Sequence, residues 1–224
     1  MIRKRGLSRL VIGMLLVPGV WSDPLWASDS GKPLNGDHGV SHVRSLNAAG
    51  ETLGVAVSPP YAFLISGGNL QIIDISGPTN MLPVAKVITP GHAQDVVVRH
   101  HYAYVADYFK GVQVIDISRP RAPRIVGHAD ISGATLNLSL AGHYLYATNG
   151  HSLQIIDIST PTEPVHVGHV TISGQALGIA IAGPYAYVAA GSAGLEIINI
   201  SKPRAPRLVS RIDTPDEAQN VAEQ

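Results

Sequence analysis

The sequence predicts an all-β chain built of repeated four-stranded antiparallel units, and three observations carry that prediction. Nearly the same seven residues occur four times: Leu-Gln-Ile-Ile-Asp-Ile-Ser at 70–76, Val-Gln-Val-Ile-Asp-Ile-Ser at 112–118, Leu-Gln-Ile-Ile-Asp-Ile-Ser at 153–159 and Leu-Glu-Ile-Ile-Asn-Ile-Ser at 195–201. The equivalent positions Asp74, Asp116, Asp157 and Asn199 are 42, 41 and 42 residues apart, so the architecture is periodic. Only 14% of residues are charged and 5% aromatic, while 23 are glycine, a composition suited to short strands and many turns.

The first 27 residues have the parts of an export signal: a basic start with Arg3, Lys4, Arg5 and Arg9, an apolar run at 10–17, then Pro18-Gly19 and a small-residue exit near Ala27. That run is shorter than the roughly 20 residues a membrane span needs, so membrane attachment is expected only through a leader left uncleaved as a signal anchor. Cysteine is absent, which rules out a lipidated cysteine and any disulfide, and leaves an exported chain to rely on its core and hydrogen-bond ladders. The expected location is secreted, periplasmic or at the cell surface of a bacterium. Once the leader is removed, 12 basic and 15 acidic residues remain, a net charge of −3 that argues against nucleic acid as a partner.

Residues 28–39 are polar and turn-rich and read as a spacer. The repeat region is expected over 40–224. It enters partway through a unit, because Gly39-Val40-Ser41-His42-Val43 resembles Val167-Gly168-His169-Val170, the last strand of a later unit. In the second unit the predicted strands are 94–98, 102–106, 112–117 and 124–128, broken at His100-His101, at 107–111 and at 118–123 by turn-forming residues. Four strands in 41 or 42 residues is the length of a β-propeller blade. Tyr61, Tyr102, Tyr144 and Tyr185 open the second strand of each unit. The third strand, with adjacent apolar residues such as Ile72 and Ile73, reads as buried on both faces, as stacked sheets require. Residues 217–222 match the opening strand of a further unit. The expectation is therefore a propeller or partial propeller: an arc completed by another chain, a small four-blade ring with loose ends, or part of a longer product. Open blade edges invite self-association.

Tyr-Ala-Tyr-Val-Ala, then Leu-Gln-Ile-Ile-Asp-Ile-Ser, then Pro-x-x-Pro-x-x-Val-Gly together resemble the LVIVD repeat family, over roughly residues 40–224. The resemblance implies a β-propeller in a secreted or cell-surface protein and brings no catalytic motif to carry over.

Candidate functional residues follow from the repeat. The Asp74, Asp116, Asp157 and Asn199 column precedes Ser-x-Pro and is expected to cap turns. In an antiparallel blade the start of the first strand lies beside the end of the second, which pairs Asp95 with Asp107 and Asn137 with Asn149. Such paired oxygens on adjacent blades suit a hard cation such as calcium, or the hydroxyls of a small ligand; they equally suit capping of the adjoining loops. The 108–110 loop, Tyr108-Phe109-Lys110, alone carries bulky aromatics in a turn, suited to a protein or sugar contact or to folding back on the blade. Arg121 and Arg204 sit in matching Pro-Arg-Ala-Pro-Arg loops on the opposite face, open to anionic envelope polymers or simply to solvent. His42, His128 and His169 share a column with Lys86 and Arg211 and read as solvent-facing, and no local spacing of the ten histidines provides a zinc site.

No nucleophile elbow, phosphate loop or zinc-protease motif is present, so no enzyme is expected. The leading expectation is an exported, non-catalytic binding or scaffold module that presents loops to an envelope or extracellular protein or polymer. A ligand- or calcium-binding propeller is the alternative, and a propeller hydrolase comes third. No other cofactor is implied.

Overall fold

The computed structural model describes residues 51–77 and 81–222. The leader, the spacer and the strand expected at 40–43 lie outside them. Among the described residues, sixteen strands form four separate four-stranded antiparallel sheets, each a meander in chain order. Blade one comprises β1 (Thr52–Ser58), β2 (Tyr61–Ser66), β3 (Asn69–Asp74) and β4 (Leu82–Val87). Blade two comprises β5 (Asp95–Arg99), β6 (Tyr102–Ala106), β7 (Val112–Asp116) and β8 (Arg124–Ala129). Blade three comprises β9 (Thr135–Ala141), β10 (Tyr144–Asn149), β11 (Ser152–Asp157) and β12 (Val165–Thr171). Blade four comprises β13 (Gly178–Ala182), β14 (Tyr185–Ala189), β15 (Leu195–Asn199) and β16 (Arg207–Ile212). The strands expected in the second unit are each found within a residue or so, and no helix occurs among the described residues.

The core lies between the blades. A propeller blade has no interior of its own, so its two faces must be buried by neighbours. Between blades one and two, Phe63, Ile65, Leu70 and Ile72 meet Val96, Ala103, Val105 and Ile115. Tyr104, Val112 and Val114 meet Leu138, Leu145 and Ile156 between blades two and three. Tyr146, Leu153 and Ile155 meet Ile179, Ala186, Val188 and Ile198 between blades three and four. Hence the third strands are apolar on both sides.

Each outer strand shifts register against its neighbour at the same place, for example between Val114 and Ile115 and between Ile155 and Ile156. There the next blade's Ser-x-Pro loop comes close. A Cβ built on Gly168 would lie 2.3 Å from the carbonyl oxygen of Pro203, so only glycine lets that loop approach.

The outward face of blade four is the exception. Tyr187, Leu195, Ile197, Val209 and Ile212 repeat the residues that the other blades bury against their successors, yet Val209 is 56% and Ile212 51% exposed. The chain nonetheless begins the next contact: Gly191 and Ala218 exchange backbone hydrogen bonds of 3.0 Å, as an isolated bridge rather than a strand. The Ala218 N–H repeats there the bonds Ala93 makes to Gly68 and Ala176 to Gly150.

Candidate functional site

The Asx column caps turns. The N–H of Ser76, Ser118, Ser159 and Ser201 donates to Asp74, Asp116, Asp157 and Asn199 at 2.9, 2.8, 2.9 and 3.0 Å. Hydrogen bonds from the Ser76 side chain and N–H hold Asp74 below the usual carboxylate range. The N–H and hydroxyl of Ser118 do the same for Asp116, as do the hydroxyl and N–H of Ser159 for Asp157.

The four paired candidates are brought together by register: Asp95 faces Ala106, next to Asp107, and Asn137 faces Thr148, next to Asn149. Each has a side-chain atom bonded to backbone. Asp95 accepts the N–H of Val96 at 2.8 Å and, across the blade boundary, that of Leu138 at 2.9 Å. Asn137 donates across the next boundary to the Leu177 carbonyl. Asn220 repeats the local half of this pattern, accepting the Val221 N–H at 2.9 Å. In the same column Gly54 and Gly178 are the residues against which Asp95 and Asn220 pack. The innermost strands are thus clasped blade to blade by Asx side chains.

Asp107 is fully buried, with Oδ2 accepting the Gly91 N–H at 2.9 Å and Oδ1 without a hydrogen-bond partner. Thr89 and Gln113 flank it as donors and also donate to Gly68 O at 3.4 Å and Lys110 O at 2.9 Å. Asn149 donates to the Ser132 carbonyl. Burial dominates both acids: it raises Asp107, against its flanking donors, and pushes Asp95 up to about 6, against the N–H groups of Leu138 and Val96. Among the described residues there is no group of three or more His, Asp or Glu able to hold a metal ion.

Tyr108 and Phe109 stand at the tip of the β6–β7 loop. Their rings meet edge-on, centroids 4.2 Å apart at 64°, and Phe109 is 68% exposed. Tyr108 has φ 52, in the left-handed region, where Gly67, Gly150 and Gly191 have φ 56, 51 and 57 at the same repeat position. Arg121 and Arg204 are exposed and lean toward the carboxylates of Asp74 and Asp157 on the preceding blades.

One pair escaped the sequence reading. Arg211, expected to face solvent like His128, instead reaches the fully buried Glu196, its Nε and Nη2 donating to Oε1 at 3.1 and 2.9 Å. The Ser173 N–H also donates to that oxygen at 3.1 Å, while Oε2 has no partner. The signal lay in two columns at once, a glutamate where Gln71, Gln113 and Gln154 stand and an arginine in the Lys86, His128, His169 column.

The LVIVD repeat model matches residues 49–89, 90–130, 132–172 and 173–214, most of the chain. The chain belongs to the LVIVD repeat family. Among solved structures this LVIVD protein is similar to a functionally unknown protein from Desulfotomaculum acetoxidans, at 16% identity and TM-score 0.63, over 75% of this chain and 60% of that one. It is also similar to the periplasmic gluconolactonase of Pseudomonas aeruginosa, at 16% identity and TM-score 0.63, over 76% of this chain and 55% of that one. The computationally designed Ika4 protein matches at 10% identity and TM-score 0.59, over 71% of this chain and 98% of that one. At these identities the likeness is one of fold, and the chain spans under two thirds of the two natural structures. No curated protein matches it.

Proposed function

We propose that this LVIVD protein is an exported, non-catalytic binding or scaffold module of the bacterial envelope or surface, contacting a protein or polymer partner through loops held on rigid blades. The observation that carries this reading is the Tyr108-Phe109 tip. Three blades fill the Tyr108 position with glycine, which takes a positive φ freely. A tyrosine there costs on the order of 1 kcal/mol of backbone strain, and it sits beside an aromatic ring left in water. Neither choice serves the blade; both suit a contact, since aromatic side chains dominate interface energetics. Export rests on the leader.

The test is capture from an envelope extract by the wild-type chain, Tyr108→Gly and Phe109→Ser. The expected result is a component retained by wild type and released by both variants, while Tyr108→Gly melts at the same or a higher temperature. Equal retention by all three would overturn the reading. In the calcium alternative Asp95, Asp107, Asn137 and Asn149, each already bonded to a backbone group, would offer a cation the unpartnered Oδ1 of the buried Asp107. Calcium is expected to leave the melting temperature unchanged, and a rise abolished by Asp107→Asn would restore that alternative. The gluconolactonase likeness, at 16% identity, carries no hydrolase reading.

A further inference from the structure

Blade two departs from the repeat a second time, at the other end of its strands. In blades two to four the turn between the first and second strands has a left-handed residue, Gly142 and Gly183 with φ 54 and 56 and, in blade two, His100 with φ 53, while blade one turns through Pro59-Pro60. The residue before it is Arg99, where Ser58, Ala141 and Ala182 stand in the other blades. Neither the strain nor the charge is required by the fold, because blades three and four make the same turn with glycine, and with Ala141 and Ala182 in place of Arg99.

Both residues border a cleft between blades two and three, with a volume of about 460 Å³, within the roughly 300–1,000 Å³ range of small-molecule sites. Arg99, His100 and His143 line its rim, Tyr102 lines a wall, and the buried Tyr104 and Ile158 also line it. Arg99 Nη1 donates to the Gly142 carbonyl of the facing blade, which anchors the guanidinium at the mouth and uses one of its five N–H groups. Asp157, whose carboxylate His143 acts on, is already engaged by the Ser159 hydroxyl at 2.6 Å and N–H at 2.9 Å. At the boundary between blades three and four, Ala141 and Gly142 stand where Arg99 and His100 stand here.

We propose that this cleft binds a small organic anion, a carboxylate on a planar apolar body. Arg99 is the principal anchor, because its planar fork matches a carboxylate. His100 and His143 supply further N–H donors at the rim, and Tyr102, Tyr104 and Ile158 receive the apolar body. This site is separate from the Tyr108-Phe109 tip, and either can fail without the other.

The experiment is calorimetric titration of the full chain with benzoate, with benzyl alcohol as the uncharged control and inorganic phosphate as the anion without a body. Saturable binding of benzoate alone is expected. Arg99→Ser, which restores the blade-one residue, should weaken it at least tenfold with a cooperative melt retained. His100→Gly should weaken it several-fold while raising the melting temperature, because glycine relieves the turn. The proposal is overturned if benzoate fails to saturate, if benzyl alcohol or phosphate binds as well, or if both variants bind like wild type. A lower melting temperature for His100→Gly would remove its premise of strain.

Discussion

Asp95 should make this protein less stable as the pH rises toward neutrality. Its carboxylate is enclosed between Gly54 of blade one and the Leu138 N–H of blade three, and burial pushes its pKa from 3.8 up to about 6. An unfolded aspartate titrates near 3.8, so between pH 3.8 and 6 the native state retains a proton that the unfolded chain releases. The stabilisation from this proton is complete below the unfolded value and is lost as pH rises through the folded one. Two pKa units correspond to about 3 kcal/mol, and since the residue keeps partial exposure the measured figure should be about 2–3 kcal/mol. Asp107 is raised too and acts in the same sense, whereas the lowered Asp74, Asp116 and Asp157 contribute stability that disappears only as pH falls below the window. Asp95→Asn isolates the effect. Asparagine already serves in this column at Asn137 and Asn220, and the difference between the two proteins cancels every group they share. Urea denaturation followed by circular dichroism at pH 4, 5, 6 and 7 is the assay. Relative to wild type, the variant should gain about 2–3 kcal/mol between pH 4 and 7. A difference independent of pH would refute the assignment of the proton to Asp95.

Gly168→Ala places a Cβ against the Pro203 carbonyl and should cost about 1–3 kcal/mol, whereas Ser210→Ala, at the same position of blade four, should change stability by less than about 0.5 kcal/mol. Arg211→Ala leaves Glu196 buried without its counter-charge; since the arginine is 40% exposed, a loss of about 2–4 kcal/mol is expected, and Glu196→Gln in the same chain should recover most of it. The outward face of blade four exposes Val209 and Ile212, so if that face pairs with a second copy the chain should self-associate in light scattering and Val209→Asp should shift it toward the monomer; an unchanged mass distribution would discard that contact.

Periodicity made the fold legible. Once the 42-, 41- and 42-residue spacing is seen, each strand is constrained four times over, and a local ambiguity in one unit is resolved by the others. Asp74 and its equivalents were legible for the same reason, because an Asx residue before Ser-x-Pro has a local partner two residues on. What could not be read was any bond across a blade boundary. Asp95 and Asn137 looked like paired ligands because antiparallel register sets them beside Asp107 and Asn149, but their long-range partners, Leu138 and Leu177, are 43 and 40 residues away. Glu196 and Arg211 were hidden differently: each is an ordinary member of a polar column, and only their joint departure marks them.

That contrast locates the informative residues of a repeat protein. Where the four units agree, the physics is that of a blade, and a residue there needs no ligand to explain it. Where one unit departs and the departure raises its own energy, something other than folding must account for it. Blade two departs in this way twice, at His100 and Tyr108, which are the two non-glycine residues with positive φ among those described. They stand at opposite ends of the same sheet, one bordering a cationic cleft and the other beside an exposed aromatic ring. Strain at a single turn has a local explanation within reach. Strain at both turns of one blade, where two other blades use glycine at the first and all three at the second, is what the two proposals share: blade two would make the contacts and its neighbours would serve as the scaffold.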